Sequence, residues 1–221
     1  MNQKSILKFL RQVMTHNNRE WFQDHKKDYE AVRAEFERGV QQAIERIMTF
    51  DPEIAHVQVK DCTYRFYRAT RFSEDKSPYK RHFGLYIAAH GKKAFHGGYY
   101  LHIEPEACML AGGAYCLPTD ILRAVRQSVV DEIDEFRSIV EEPEFRRLFP
   151  TLGMDRVKTV PKGFPRDFPF PEYIRPKDYS LSTAIPDDFL RQADWLQQTL
   201  HVFEVMKPFL DFINYTIDDY E

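Results

Sequence analysis

Apolar residues recur at helical spacing near the start of the chain. A short apolar stripe spans residues 6–14, and a longer one spans residues 22–47. Asn17 lies three residues before Glu20, a spacing typical of a capping box at a helix start. Pro52 follows the second stripe and cannot continue a helix. The pattern therefore predicts two N-terminal helices.

The middle of the chain is rich in aromatic and β-branched residues, which favours strands. The predicted strands are 57–59, 63–68, 83–89, 99–104 and 107–115. Gly91 and Gly97 interrupt the pattern between the third and fourth strands. These two strands are therefore predicted to form an antiparallel hairpin with a long basic tip.

Helical spacing returns after the strands. Two helices are predicted between residues 118 and 149, interrupted at Pro143. Residues 161–176 combine prolines with aromatics, so we expect an ordered loop that packs its apolar side chains. Pro186 is predicted to start the last helix, and Pro208 to kink or end it.

The order of these elements is helices, strands and helices again. It predicts an α+β fold with a central, mostly antiparallel sheet flanked by N-terminal and C-terminal helices. The 221 residues are enough to bury a substantial core. No repeat, low-complexity tract or change in composition marks a boundary, so we expect a single domain over residues 1–221.

Charge is unevenly distributed along a chain whose net charge is −3. Residues 60–93 contain nine Lys or Arg and three Asp or Glu, which gives +6. Residues 131–144 contain seven acids and one arginine, which gives −6. Such asymmetry bears on partners rather than on fold.

Three cysteines without metal-site or redox-motif spacing favour a reducing compartment. They are expected to be reduced and largely buried. The first residues contain no apolar run typical of a signal peptide, and no segment is apolar enough to span a bilayer. We therefore expect a cytoplasmic protein with no membrane partner.

The densest concentration of cations lies in residues 65–80. Arginines recur at every third position, lysines follow, and aromatics stand among them, while acids are few. Guanidinium groups bind phosphate and carboxylate well, so this segment predicts a binding site for an anion. The residues assigned to the site are Arg65, Arg68, Arg71, Lys76, Tyr79 and Lys80, with Lys162 contributed by the loop at 161–176.

Strand alternation would divide these arginines between two faces. Convergence on one cleft therefore requires a bulge or a strand end between Arg68 and Phe72. The alternative interpretation is that the arginines form ion pairs, some of them with the acidic segment near Glu141, and such pairs contribute little when exposed.

The same segment resembles the signature of a bacterial family of unknown function, DUF2461. The signature runs approximately R-x-x-R-D-x-R-F-x-x-D-K-x-P-Y-K, and Ala69 occupies the position of its first Asp. Weaker similarity covers residues 18–26, 98–105 and 161–164, so the resemblance extends over most of the chain. It implies no particular activity.

Catalytic and metal-binding motifs are sparse. His102 and Glu104 share one face of a predicted strand, but a metal ion would need a third ligand from another strand. The histidines are therefore expected to be surface or packing residues, and neither a metal nor a cofactor is expected. The chain lacks the glycine-rich phosphate loops of common nucleotide enzymes. No residue set identifies a reaction, so the sequence leaves enzymatic activity open.

Three functional hypotheses follow from the basic segment. The first is the binding of a small anionic molecule. The second is nucleic-acid binding by cations interleaved with aromatics, although the negative net charge weighs against it. The third is a protein-interaction module whose basic hairpin docks an acidic partner, including the chain's own acidic segment in a homodimer.

Overall fold

The computed structural model describes residues 3–220, and residues 1, 2 and 221 of the predicted domain lie outside that range. The elements are helices α1 (Gln3–Thr15), α2 (Arg19–Asp24), α3 (Lys26–Ile47) and α4 (Val59–Cys62), strands β1 (Phe83–Ile87), β2 (Gly98–Ile103) and β3 (Met109–Ala114), helices α5 (Thr119–Asp131), α6 (Ile133–Val140) and α7 (Pro143–Leu148), strand β4 (Tyr179–Ala184) and helix α8 (Trp195–Ile217). This α+β arrangement, with helices at both ends, confirms the predicted fold class.

The N-terminal helical region is divided at Asn18 and at His25. The Asn18 side chain accepts a hydrogen bond of 2.9 Å from the Trp21 N–H and caps α2. The prediction placed this cap at Asn17 and was wrong by one residue. Asn17 instead binds both backbone groups of Tyr79, at 3.0 and 3.1 Å, and so ties the helical region to the basic segment.

The four strands form one antiparallel sheet in the order β1-β2-β3-β4. In the predicted hairpin, Phe83 pairs with Ile103 and Leu85 pairs with Leu101. Strand β3 was also predicted. Strand β4 pairs with β3, and Gly112 of β3 lies opposite Leu181 of β4. Strand β4 was not predicted from the sequence.

Two predicted strands are wrong. At 57–59 the Gln58 N–H donates to the Asp61 carboxylate at 3.2 Å, which favours the short helix α4 instead. At 63–68 the chain makes only the isolated bridges Thr63 to Leu85 and Tyr67 to Tyr79 among the described residues. This segment runs beside the sheet as an irregular hairpin.

The last helix also departs from the prediction. It begins at Trp195 rather than at Pro186, after a short 3₁₀ turn at Phe189–Arg191. Pro208 lies inside α8, which continues to Ile217. Because α8 buries residues on both sides of Pro208, including Phe203 and Ile213, packing maintains the helix despite one lost backbone donor.

The sheet has two faces of different character. One face, called here the core face, packs against α3 and α8, as in the contacts Phe36–Phe83 and Tyr99–Phe203. The other, called here the open face, alternates with it along every strand. Within residues 3–220, no helix has the length and apolar character needed to cross a bilayer.

Candidate functional site

A cavity of about 590 Å³ covers the open face of the sheet. Its floor consists of small residues on β3 and β4, namely Ala111, Gly113, Ser180 and Ser182. Its sides are formed by larger residues from several segments of the chain: Tyr64, Lys80, His82, Tyr86, Lys92, Phe95, Tyr100, Met109, Tyr115 and Met154. The small floor and the large rim make the open face concave.

Two lysines and one tyrosine give this cavity a cationic side. The Lys80 Nζ lies 5.1 Å from the centre of the Tyr64 ring, and the Lys92 Nζ lies 5.7 Å from it. Lys92 also donates to the Lys60 and Thr63 carbonyl oxygens, at 2.9 and 2.8 Å. Burial, together with the nearby Arg65, lowers the pKa of Lys80. Its ammonium would therefore be favoured by a bound negative charge.

Two side chains on the open face of β2 and that of Glu104, directly after it, form a hydrogen-bonded chain. The Tyr100 hydroxyl lies 2.8 Å from His102 Nδ1, and His102 Nε2 lies 2.8 Å from Glu104 Oε2. Strand alternation places all three on one face. Burial, with Tyr64 and Glu104 nearby, raises the pKa of Tyr100 to about 12, so its phenol stays protonated at neutral pH. Gly84 on β1 leaves the space in which the Tyr100 ring lies.

His82 reaches the same chain from the edge of β1. Its Nδ1 lies 3.9 Å from Glu104 Oε2, and its ring centre lies 4.4 Å from that of His102. Burial, followed by the charges of His102 and Lys80, lowers the pKa of His82 to about 4. The imidazole is therefore neutral at physiological pH. His82, His102 and Glu104 bring together two imidazoles and a carboxylate, a set able to hold a metal ion.

A family model described as a conserved hypothetical protein, DUF2461, matches residues 5–212. The chain belongs to the DUF2461 family. No curated protein and no solved structure matches it significantly. The family match agrees with the resemblance seen in residues 65–80.

The signature segment of this DUF2461 chain is a hairpin whose pairing ends at Arg68. The Arg68 N–H donates to the Pro78 carbonyl, and the Lys80 N–H donates to the Phe66 carbonyl, both at 2.9 Å. The Arg68 guanidinium pairs with Asp75 and donates to Ser77. The backbone pairing ends beside Arg68 as expected, but it does not bring the arginines together in the cavity, whose lining includes none of Arg65, Arg68 and Arg71. Two signature residues, Arg68 and Asp75, therefore form an ion pair with each other.

The other predicted site residues have different surroundings. The Tyr79 ring is 2% exposed and stacks on Phe22 with centroids 3.9 Å apart, so its assignment to a ligand surface was wrong. Lys76 donates to the Thr70 carbonyl at 3.1 Å, within the hairpin. Of the predicted residues, all of them within the described range, Lys80 alone lines the cavity.

Three further predicted residues lie on the surface. Arg65 and Arg71 are exposed, and the Arg71 guanidinium lies 5.2 Å from the centre of the Phe72 ring. Lys162 is also exposed, in a loop where the neighbouring Gly163 approaches Arg123 of α5. These positions do not contribute to the lining of the cavity.

The acidic segment does not cover the basic hairpin. Glu141 accepts hydrogen bonds from Arg137 and from the Tyr173 hydroxyl, and Glu142 accepts one from the Phe145 N–H and caps α7. Glu141 and Glu142 therefore bind residues in their own part of the fold. The interpretation in which the acidic segment neutralises the arginines of the same chain is not what the structure shows.

The three cysteines are free thiols. Cys62 and Cys108 are buried, and burial raises their pKa values to about 12 and about 11. Cys116 is exposed, which corrects the expectation that all three are largely buried. It follows β3 with a φ of 58°, in the left-handed region, and this conformation turns the chain out of the sheet.

Most of the cavity lining was not predicted from the sequence. This lining is assembled by strand register and by the irregular course of residues 63–82, neither of which appears in local periodicity. One signal was available. If the hairpin register sets Phe83 opposite Ile103, the preceding residue His82 stands opposite Glu104. The third ligand candidate could then have been inferred.

Proposed function

We propose that the protein binds a small anionic molecule in the cavity of the open face. The ligand class is a phosphate or carboxylate carried on an apolar or aromatic body. The anionic group would lie beside Lys80 and Lys92, and the body would lie over the small floor of β3 and β4.

Lys80 is the residue that carries this proposal. Its ammonium is partly buried at the cavity wall, and within residues 3–220 no carboxylate lies at ion-pair distance from it. A partly desolvated cation usually has an acidic partner. A bound anion would supply that partner, in a segment with an excess of positive charge.

The shape and lining of the cavity support the placement of the apolar body of the ligand over the floor of β3 and β4. Small-molecule sites are concave and mostly apolar, with a few polar groups that fix orientation. Here Phe95, Met109 and Met154 provide apolar contact, and Ser182 provides a hydroxyl at the floor. A volume of about 590 Å³ falls within the range of such sites.

Thermal unfolding with two probes, phenyl phosphate and benzoate, tests the proposal. A ligand that binds only the folded state raises Tm, and at about 100 times its Kd it adds about 2.7 kcal/mol. For a chain of this length that corresponds to a Tm increase of several degrees. The variant Lys80→Met keeps the length of the side chain and removes its charge. We expect it to lose the shift.

Arg71→Ala is the matched control, because Arg71 belongs to the same basic segment but lies outside the cavity lining. It should retain the ligand-induced shift. If Arg71→Ala loses the shift and Lys80→Met retains it, the anion binds at the arginines and the cavity assignment is wrong. If neither probe raises the Tm of the wild type, the proposal fails for this ligand class.

One observation favours nucleic-acid binding as a second candidate. Phe72 at the tip of the basic hairpin is 92% exposed, with the Arg71 guanidinium beside its ring. Exposed aromatics next to cations can stack on bases. Binding of a fluorescent single-stranded oligonucleotide should then weaken steeply with salt and be lost in Phe72→Ala. Salt-independent or unchanged binding would contradict this candidate.

We also propose that the protein works in a reducing, cytoplasmic compartment. The support is that Cys62, Cys108 and Cys116 are all free thiols. Mass determination of the protein isolated without reductant should give three free thiols. An intramolecular disulfide in that sample would contradict the assignment.

A further inference from the structure

We propose that His82, His102 and Glu104 bind a divalent transition-metal ion at the edge of the open-face cavity. Two imidazoles and one carboxylate are a donor set found in catalytic zinc sites, and the same set suits iron, cobalt and manganese. This goes beyond anion binding, because the metal site is formed by other residues and does not require an anion.

The distances between the donor atoms suit one shared ion. Metal–nitrogen and metal–oxygen bonds of about 2.0–2.2 Å place neighbouring ligand atoms about 3–3.5 Å apart. His102 Nε2 and Glu104 Oε2 are 2.8 Å apart, and His82 Nδ1 and Glu104 Oε2 are 3.9 Å apart. All three donor atoms lie within 4.8 Å of one another. Modest side-chain adjustments would therefore complete the set.

Tyr100 provides the hydrogen-bond partner that the second ring nitrogen of a metal-binding histidine usually has. Such a histidine directs one ring nitrogen at the metal and donates from the other to a protein acceptor. His102 Nδ1 lies 2.8 Å from the Tyr100 hydroxyl, which can accept as well as donate. In the tautomer in which Nδ1 donates to the Tyr100 hydroxyl, Nε2 carries no proton and its lone pair is available to an ion.

A second cluster, His90, His96 and Asp218, also brings three donor groups together, but hydrogen bonds fix the tautomer of its buried histidine, His96. The Asn214 Oδ1 accepts from the Gly97 N–H at 2.7 Å, which turns its Nδ2 towards His96 Nε2 at 3.0 Å.

Because Nε2 of His96 accepts from an amide donor, its proton must reside on Nδ1, where it is donated to Asp218 at 2.6 Å. A metal at Nδ1 would leave two donors facing each other. This cluster is therefore a hydrogen-bonded tie to the C-terminal end of α8, and it supplies a histidine-matched control.

The position of the proposed site links it to the cavity. His82 and Tyr100 both line the cavity, while His102 and Glu104 extend the site along β2. Three protein ligands leave at least one coordination position for a molecule that is not part of the protein. Because His82 lines the cavity, the proposed site lies at the cavity edge.

Titration of the chelator-treated full-length protein with Zn²⁺ and Co²⁺, followed by calorimetry and by visible absorption, tests the proposal without any anion. We expect one equivalent of ion to bind and Co²⁺ to develop visible bands. Glu104→Gln and His82→Ala should weaken binding more than about 100-fold, and Tyr100→Phe should weaken it by about 10–100-fold. Circular dichroism establishes that each variant is folded.

His90→Ala is the control and should bind one equivalent with unchanged affinity. The proposal is overturned if the folded wild type binds no stoichiometric ion, which would leave Tyr100, His102 and Glu104 as a hydrogen-bonded chain only. It is also overturned if His90→Ala abolishes binding while Glu104→Gln does not. Lys80→Met should keep metal binding, so failure of the anion proposal and failure of the metal proposal are distinguishable.

Discussion

At the scale of single residues, a buried polar pair stands out against the otherwise apolar core face. The Tyr99 hydroxyl donates to Asp51 Oδ2 at 2.8 Å, and both residues are under 10% exposed. Burial and the Asp51 charge raise the pKa of Tyr99 far above its usual range, which keeps the phenol a donor. The other carboxylate oxygen, Oδ1, has no hydrogen bond within the described chain, and the Lys207 Nζ lies 4.0 Å away.

Tyr99→Phe should therefore destabilise the fold by about 1–3 kcal/mol, because it leaves a buried carboxylate without its donor. Urea unfolding followed by circular dichroism measures the change. Tyr115→Phe is the control, since that side chain is 62% exposed, and it should change the stability by less than about 0.5 kcal/mol. Equal stability of Tyr99→Phe and wild type would show that Asp51 is satisfied in another way.

Residue identity alone predicted only part of the site. Lys80 was selected for its place in a basic segment, and it lines the cavity. Tyr79, its neighbour, was selected for the same reason but is held in the core by stacking on Phe22. Strand alternation sends adjacent residues to opposite sides, and local composition does not show which side meets the core.

At the scale of elements, the β1–β2 hairpin depends on a glycine opposite a large ring. A Cβ added at Gly84 would lie 2.9 Å from the Tyr100 hydroxyl oxygen and 3.2 Å from its ring. The side chain of Tyr100 crosses β1 at this point. Its position, and with it the hydrogen bond to His102, depends on the missing Cβ.

Gly84→Ala should destabilise the protein by about 1–3 kcal/mol through overpacking, although alanine normally suits a strand better than glycine. The same substitution should cost less in a Tyr100→Phe background, because the closest clash is with the hydroxyl oxygen. Thermal unfolding of the two single variants and the double variant gives this comparison. Simple additivity of the two effects would rule out the Tyr100 hydroxyl as the cause.

Element types were predictable where the apolar period was long, as in α3 and in the β1–β2 hairpin. Strand β4 was not predicted because it follows a loop rich in proline and aromatics, and because half of its positions are serine or threonine, with Ser180 and Ser182 on the open face. Residues 57–59 looked like a strand, yet one hydrogen bond from Gln58 to Asp61 turned them into α4. Pro208 failed to end α8 because tertiary packing outweighed its local effect.

At the scale of the whole molecule, many exposed carboxylates form local ion pairs. Arg147 and His201 lower the pKa of Glu144 to about 2, and Lys177 lowers that of Asp155. Hydrogen bonds from Ser77 and Arg68 hold the pKa of Asp75 well below its usual range. Each group prefers to be ionised in the folded state, so each contributes stability only while it is charged.

The contribution of these carboxylates should therefore be constant down to about pH 4, near the pKa of an unfolded carboxylate, and should be lost as the pH decreases towards about 2. His82, whose pKa is about 4 in the folded state, should already lower the stability as the pH falls below about 6.5, because the unfolded chain then takes up a proton that the folded chain does not. Because the carboxylates are exposed, added salt should reduce the Coulombic part of their effect. Tm measured across this range at low and high NaCl tests the prediction. A Tm that is flat from about pH 5 to about pH 2 would contradict it.

The open face also bears on how relatives of this chain can diverge. Alternation assigns one set of strand positions to the core and the other to the cavity floor, where Ala111, Gly113, Ser180 and Ser182 lie. Ala111 and Ser182 can be exchanged without touching the core face, whereas the Ser180 hydroxyl donates to the buried Asp178 carboxylate, and Gly113, with a φ of 95°, does not readily accept another residue. Substitutions at Ala111 or Ser182 would thus change the shape of the cavity floor while the residues of the core face stay the same.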